Sequence, residues 1–166
     1  MIDSNGNFIT LNYKTGNLAG YSNSSARLDT LYDVRSTGSP TYTFTYNADS
    51  TPHLTAISNS IGTAENFTFT YSGQATLYSP FSPQVAFGST KLLQTFTVNG
   101  LAQTHNFEYG SLNSGELSRV IFPYAGDLRW DYRAFTYGNT HQLREVQYRR
   151  LTKANGSPVG DSARAR

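Results

Sequence analysis

Two carboxylates near the C-terminal end have the residue types and spacing that would suit acid–base chemistry. Asp127 and Asp131 lie on either side of Trp130. Such a pair beside an aromatic ring is typical of glycoside hydrolases, in which one carboxyl has a raised pKa and its partner is ionised. Arg129 and Arg133 alternate with them, however, and residues two apart share a face of a strand. The alternation therefore favours a surface row of charges, whose cross-strand pairs contribute about a few tenths of a kcal/mol each, over a catalytic pair.

The other reactive side chains form no catalytic or metal-binding motif. His53, His105 and His141 are the only histidines, and no two have the H-x-x-x-H spacing that places two metal ligands on one helix face. The sequence contains no Gly-x-Ser-x-Gly nucleophile elbow and no Gly-x-Gly-x-x-Gly phosphate loop. We therefore predict no catalytic, cofactor-binding or metal-binding residue, and we expect that the chain is not an enzyme and needs no cofactor.

Composition excludes several classes of protein. Of the 166 residues, 14% are aromatic and 14% are charged, the net charge is +2, and cysteine is absent. Disordered chains have few aromatic residues and a high net charge, and a chain without cysteine has no disulfide framework or thiolate zinc site. No apolar run approaches the roughly 18 residues of a membrane-spanning helix. Nine of the 13 Lys and Arg residues lie within 119–166, but nothing else supports binding to nucleic acid.

Alternation of threonine with aromatic residues predicts β-strands along the chain. The alternation is unbroken in residues 41–46 and 67–71, so the aromatic side chains line one face of each strand. Further strands are expected over 7–13, 92–98, 104–109, 129–137 and 143–148. Turns are expected at Asn5-Gly6, Asn99-Gly100 and Asn155-Gly156. Residues 72–88 alternate less clearly and are expected to form a longer loop or an irregular strand pair, and 154–166 a disordered tail.

A repeat relates two parts of the chain. Apolar or aromatic residues follow Tyr46 and Tyr109 at the same four offsets, +8, +11, +21 and +23, and each series contains a glycine turn. The repeat residues are Tyr46, Leu54, Ile57, Gly62, Phe67 and Phe69 in the first copy, and Tyr109, Leu117, Val120, Gly126, Trp130 and Tyr132 in the second. Each unit reads as an aromatic strand, a loop, a Leu-x-x-apolar strand and a glycine turn. A lone hairpin is unstable in water, so we expect the hairpins to stack into one sheet.

The order of these segments resembles the RHS/YD-repeat family, which is found mostly in bacteria and has animal teneurins as relatives. The segment GELSRVIFPYAG at 115–126 is similar to the GxLxxVxxPxGG segment of that family, with Ala125 in place of the first glycine of the pair. Residues 144–146, Arg-Glu-Val, resemble the R-x-V strand that often follows. Shorter pieces that resemble the repeat are DSNGN at 3–7, KTGNL at 14–18 and HLTAI at 53–57.

The resemblance covers residues 1–153 and implies a fold and a function. Family members build a long β-sheet that spirals into a hollow shell, which in bacterial polymorphic toxins and Tc-type toxin complexes encloses a toxic C-terminal domain. It implies that residues 1–153 are a YD/RHS-type region of stacked antiparallel β-hairpins, and one fragment of a larger sheet, because about five to eight strands cannot close a shell. The partners implied are the remaining repeats and the enclosed C-terminal effector domain of a longer parent chain. That parent is expected to be secreted or at the bacterial cell surface, although residues 1–5 do not resemble a signal peptide.

A self-contained carbohydrate-binding or adhesion module is the alternative, with cell-surface glycans as partners. Four aromatic residues offer flat apolar faces with a polar edge, which can stack on sugars: Tyr124, Trp130, Tyr132 and Tyr137. The repeat offsets instead assign Trp130 and Tyr132 to the packed face of the sheet. The sequence therefore favours an architectural role, in which the repeat residues hold the sheet together.

Overall fold

The computed structural model describes residues 4, 6–16, 26–34, 36, 38–63, 65–153 and 163–164. These residues form eleven β-strands and two short 3₁₀ turns, at Asn99–Leu101 and Gly138–Thr140, with no α-helix in the described part. The strands are β1 (Thr10–Tyr13), β2 (Leu28–Tyr32), β3 (Tyr42–Tyr46), β4 (Leu54–Asn59), β5 (Phe67–Tyr78), β6 (Ala86–Val98), β7 (Gln103–Tyr109), β8 (Leu117–Ile121), β9 (Asp127–Thr136), β10 (Gln142–Thr152) and β11 (Ala163–Arg164). The prediction of an all-β fold of antiparallel hairpins is confirmed.

The strand order in the sheet is the order along the chain, from β1 to β11. Two compact units divide the chain, one made of residues 1–69 and 97–103 and the other of residues 70–96 and 104–166. In the first unit β1 to β4 pair antiparallel in succession, and β4 pairs with the start of β5. In the second unit β7 to β11 pair antiparallel in succession. Every one of these neighbours along the chain is therefore a hairpin partner in the sheet.

The cross-strand pairs show why the aromatic and threonine runs form strands. Phe44 in β3 lies opposite Ile57 in β4, and Thr43 lies opposite Ser58, so apolar residues meet on one face and hydroxyl residues on the other. In the second unit Val120 of β8 lies between Phe107 and Leu128 of its two neighbours. The alternation of the sequence thus becomes a sheet with one apolar and one polar face in each unit.

Neither unit encloses an apolar core within its described residues. No leucine, isoleucine, valine or aromatic side chain of the described part is buried, and the two fully buried side chains are Thr41 and Asp127. Most apolar residues of the strands are half-buried, because a single layer of sheet covers each side chain only from its neighbours on the same face. The apolar faces therefore retain surface that a second layer would cover.

Two segments differ from the sequence prediction, and a third decides between two alternatives that the sequence left open. The strand β2 was not expected, because residues 28–32 (LDTLY) alternate weakly and follow a long polar stretch. Residues 72–88 were expected to form a longer loop or an irregular strand pair, and the structure has the strand pair, since β5 continues to Tyr78 and its neighbour β6 begins at Ala86. The segment 154–166, predicted to be a tail, lies mostly outside the described residues, but Ala163–Arg164 pair with Tyr148 and Arg149 of β10.

The glycine turns expected from the sequence are confirmed only in part. Gly6 and Gly62 adopt φ of +82° and +76°, the left-handed region that favours glycine. At Asn99-Gly100 the chain instead forms a 3₁₀ turn, and Ala102 takes the positive φ of +50°. Asn155-Gly156 and Asn5 lie outside the described residues.

Candidate functional site

A cluster of charged side chains lies on the polar face of β8 and β9, and Asp127 is at its centre. Arg119 of β8 lies directly opposite Arg129 of β9, so both arginines share a face with Asp127, two residues before Arg129. Thr152 of β10 lies opposite Asp127 on the other side. The register of three strands thus brings together side chains that are as much as 33 positions apart, between Arg119 and Thr152.

The Asp127 carboxylate accepts hydrogen bonds from both arginines. Arg129 donates from Nε at 2.8 Å and from Nη2 at 3.2 Å, and Arg119 donates from Nη2 at 2.6 Å. These hydrogen bonds, those of Arg129 first, hold the pKa of Asp127 well below its usual range against the opposing effect of burial. Because these hydrogen bonds outweigh the effect of burial on its pKa, Asp127, which is 1% exposed, is an ionised acceptor in a structural ion cluster and not a proton donor.

Asp131 belongs to a separate ion pair. Its Oδ2 lies 2.5 Å from Nη1 of Arg150, and both side chains are about half exposed. Four residues of strand separate Asp127 from Asp131 by roughly 13 Å between their Cα atoms. The two carboxylates are therefore engaged by different arginines, although the burial of Asp127 differs from the surface row expected from the sequence.

A second ion pair joins the β8 end to β10. Arg144 donates from Nε and Nη2 to the two carboxylate oxygens of Glu116, each at 2.8 Å, and both side chains are 18% exposed. The Arg144 hydrogen bonds lower the pKa of Glu116, although burial opposes the shift. The same guanidinium lies 6.0 Å from the ring centroid of Tyr132. This bidentate pair fixes the strand ends on the apolar face and leaves the Glu116 carboxylate no role as a proton donor.

The histidines lie in three different environments. His105 packs 5.7 Å from Phe96 and edge-on to Phe122 at 6.0 Å, measured between ring centroids. The backbone N–H of His53 donates to Oδ1 of Asn47 at 2.7 Å in the β3–β4 turn, and the carbonyl of His141 accepts from Tyr137 N at 2.7 Å. Within the described ranges, no three His, Asp or Glu side chains are grouped in a way that could hold a metal ion.

The most regular feature of the sheet is a bulge at the position of the repeat leucine. In three hairpins the tyrosine that ends one strand is the Cα partner of the leucine that begins the next: Tyr13 with Leu28, Tyr46 with Leu54, and Tyr109 with Leu117. The last two hairpins share a further detail. The residue after each leucine, Thr55 or Ser118, is an extra one without a partner in the register. Its hydroxyl donates across the hairpin to a backbone carbonyl, Thr55 to Thr45 at 3.2 Å and Ser118 to Glu108 at 3.0 Å. The offset of +8 in the sequence thus corresponds to a geometry that recurs in this chain.

In three places a tyrosine hydroxyl bonds to a leucine of the strand before it. Three tyrosines each donate to the carbonyl of a leucine on the preceding strand, at 2.9 Å: Tyr46 to Leu28, Tyr109 to Leu93, and Tyr132 to Leu117. Burial raises the pKa of all three hydroxyls, so each remains a protonated donor over the physiological range. These hydrogen bonds link each aromatic strand to the leucine-containing strand before it. The repeat pattern in the sequence contains the three tyrosines but does not reveal the bonds.

The four candidate sugar-stacking residues differ in their solvent exposure. Tyr124, in the β8–β9 turn, is 78% exposed, and Tyr137 is 48% exposed. Tyr137 donates to Oε1 of Glu145 at 2.5 Å. Trp130 and Tyr132 are half-buried in β9, as the repeat offsets predict. Only Tyr124 and Tyr137 among these four present a largely open ring.

The Tyr32-Asp33 dipeptide begins a hydrogen-bonded turn that the sequence analysis did not predict. The hydroxyl of Thr41, which is fully buried, lies 2.7 Å from Oδ1 of Asp33, and the Asp33 N–H donates to Oγ of Ser36 at 3.0 Å. The hydroxyls of Ser36 and Thr41 are 2.7 Å apart. The cue in the sequence is an Asx-type side chain followed by hydroxyl residues, which favours a turn.

Comparison with protein-family models and with curated proteins finds no match to this chain. Within the described residues, no helix has the length and apolar character needed to cross a membrane.

Proposed function

We propose that this chain is a structural segment of an RHS/YD-repeat protein, and forms part of a β-shell that encloses a toxin or effector domain. The observation that carries the proposal is the tyrosine–leucine bulge, which recurs with the same register and the same hydroxyl bonds in separate hairpins. A repeated unit that depends on its neighbours for hydrogen bonds is typical of sheets that are extended by adding units.

The lack of a buried apolar core in the described part also supports a wall. Stable domains pack at least two layers around a core, whereas here the strands leave their apolar faces half-covered. In a shell, the remaining repeats and the enclosed C-terminal domain of the parent chain would cover these faces. The role is passive: sheet hydrogen bonds, bulges and ion pairs keep the wall rigid, and no catalytic group is needed. The parent protein would be secreted or displayed at a bacterial cell surface.

Protease protection in the native protein tests the enclosure. We expect that a domain outside this segment resists digestion in the wild-type protein and is cleaved when Trp130→Asp disrupts the apolar face of β9. The matched control is Tyr124→Phe, because Tyr124 is 78% exposed in a turn and its ring is retained. Equal digestion of the wild type and both variants, with no protected domain, would contradict the proposal.

A second candidate function is carbohydrate binding, and the exposure of Tyr124 favours it. An aromatic ring that is 78% exposed at a turn offers a face on which a sugar ring can stack. If this candidate is correct, the isolated chain binds defined glycans on an array, and Tyr124→Ala abolishes the signal while circular dichroism shows that the chain is still folded. An array without specific signal would remove it.

A further inference from the structure

We propose that the tip of the β5–β6 hairpin, residues 78–87, is a membrane-contact site that inserts exposed apolar side chains into the interface of a zwitterionic lipid bilayer. The tip consists of the end of β5, the turn that follows it and the start of β6. The proposal goes beyond the shell and does not depend on it, because it concerns one hairpin of this chain and a lipid surface.

The β5–β6 hairpin contains the longest stretch of the sequence without a charged side chain. Residues 66–90 include no Asp, Glu, Lys, Arg or His, so the 13 basic and 11 acidic residues of the chain all lie elsewhere. A charged side chain is costly to move from water into a bilayer, and a segment that enters lipid should have none. A surface that docks on another protein instead uses charges at its rim to fix the register and steer the encounter. The absence of charge therefore favours lipid as the partner.

Exposed apolar side chains are grouped at the hairpin tip. Phe87 and Val85 are 60% and 58% exposed, and Tyr78 is 37% exposed. Leu112, in the β7–β8 loop, is 36% exposed, and this loop lies beside the tip because the Tyr78 N–H donates to the carbonyl of Asn113 at 3.0 Å. Grouped apolar exposure of this kind marks a contact with a partner or a membrane, and tyrosine is enriched where membrane meets water.

The β7–β8 loop supports the hairpin next to the tip and leaves the tip itself open. A Cβ atom placed on Gly115 would lie 3.6 Å from Cδ2 of Leu77, so the loop packs against that leucine. Leu77 is half-buried, whereas every residue from 82 to 89 is exposed. The exposed residues thus project beyond a part of the second unit that holds the hairpin in place.

Polar groups of the hairpin bond to one another, which lowers the cost of leaving water. The Ser79 N–H donates to the carbonyl of Val85 at 2.8 Å and closes the turn. Within the turn the Phe81 N–H donates to Oγ of Ser79 at 3.3 Å, and across the strands Nε2 of Gln74 donates to Oγ of Ser89 at 2.9 Å. Polar groups that enter an apolar environment must keep hydrogen-bond partners, and these partners move with the hairpin.

Co-sedimentation of the full 166-residue chain with phosphatidylcholine vesicles tests the site. We expect the chain to pellet with these vesicles equally well at low and at high salt, because no charge of the hairpin takes part. Phe87→Ser should weaken binding by about tenfold, since it removes one ring that lipid would bury. The matched control is Phe8→Ser, the same change at a ring that is 53% exposed in the other unit, and it should leave binding unchanged.

Quenching by brominated phosphatidylcholine locates the contact. The single native tryptophan, Trp130, is half-buried in β9 and lies outside the hairpin tip. Brominated lipid should therefore quench wild-type fluorescence little, whereas Phe87→Trp places a second indole at the tip, and its added emission should be strongly quenched. Equal fractional quenching of the wild type and Phe87→Trp would contradict insertion of the tip.

The remaining outcomes separate lipid from other partners. Binding only to anionic vesicles, and only at low salt, would assign the contact to the basic residues of 119–166 and overturn the proposal. Dimerisation of the free chain that Phe87→Ser abolishes, without vesicle binding, would make a second copy the partner and would also overturn it. Circular dichroism checks that each variant is folded, and Val85→Ser, which should likewise weaken vesicle binding, replaces Phe87→Ser if that variant is not.

Discussion

Replacement of Asp127 by asparagine removes the charge at the centre of the ion cluster while keeping the shape of the side chain. Asp127 is 1% exposed and accepts three hydrogen bonds from Arg119 and Arg129. An asparagine side chain at this position would accept fewer of these bonds, and its NH₂ group would face two cations. The substitution therefore deprives both arginines of the counter-charge that they share.

The expected loss of stability follows from the exposure of the arginines. Removing one partner of a fully buried ion pair costs about 3–5 kcal/mol. Here the side chains of Arg119 and Arg129 are 28% and 43% exposed, so water can solvate them in part. Arg119 also has Glu108 at 3.3 Å as a second counter-charge. We therefore expect Asp127→Asn to lower the free energy of unfolding by about 2 kcal/mol, which is less than the buried limit.

Urea denaturation followed by circular dichroism measures this loss. With a slope of about 2 kcal/mol per molar urea, the midpoint should fall by about 1 M. The matched control is Asp131→Asn, the same change on the same face of β9, where both partners are about half exposed and the pair contributes about 0–1 kcal/mol. Equal midpoints for the two variants would refute the assignment of Asp127 as the central buried charge.

At acidic pH the difference in urea midpoint between the wild type and Asp127→Asn should disappear. Because the arginine hydrogen bonds hold the pKa of Asp127 below its usual range, the folded chain favours the carboxylate more than the unfolded chain does. The stabilisation is complete above the unfolded pKa of about 4 and is lost as the pH falls through the lower folded pKa. The difference in midpoint should thus be constant between about pH 7 and pH 5 and shrink below about pH 4. A difference that disappeared between pH 7 and pH 5 would contradict this mechanism.

Three further sets of substitutions test other parts of the sheet by the same denaturation assay. Loss of a tyrosine hydroxyl that bonds to the preceding strand should cost about 1 kcal/mol at each of three positions; the variants are Tyr46→Phe, Tyr109→Phe and Tyr132→Phe. Glu116→Gln should cost about 1–2 kcal/mol at pH 7, because it weakens a bidentate charged pair with Arg144. Since the pKa of Glu116 is lowered, that cost should also shrink below about pH 4. Ala125→Gly should stabilise the chain by up to about 1 kcal/mol, because Ala125 has a φ of +64°.

Much of the fold follows from short-range patterns in the sequence. Uninterrupted alternation predicts the strand β3 and the start of β5. The repeat predicts an aromatic strand that ends at Tyr46, a loop and a strand that begins at Leu54, and the structure adds that these two residues are Cα partners. What the offset does not reveal is the extra residue, Thr55, since a bulge depends on hydrogen bonds between strands. The strand β2 was not predicted, because apolar and polar residues alternate too weakly over residues 28–32 for the segment to be distinguished from a loop.

The charged cluster was only partly predictable. Alternation along β9 placed Asp127 and Arg129 on one face, as the structure has them. The contribution of Arg119 requires the register between β8 and β9, which the sequence constrains only through the turn at Gly126. The burial of Asp127 depends on Arg119 and Thr152 from both neighbouring strands, so a pattern within one strand cannot predict it.

The mass of the native protein tests most directly whether this chain is one stretch of a larger repeat sheet. An antibody raised against residues 1–153 would be used on extracts of the source cells, with denaturing electrophoresis and native size measured in parallel. We expect a band several times larger than 18.3 kDa that carries further repeats and a C-terminal domain. A monomeric, folded protein of 18.3 kDa would contradict the shell, and would mean that these hairpins are stable without further repeats.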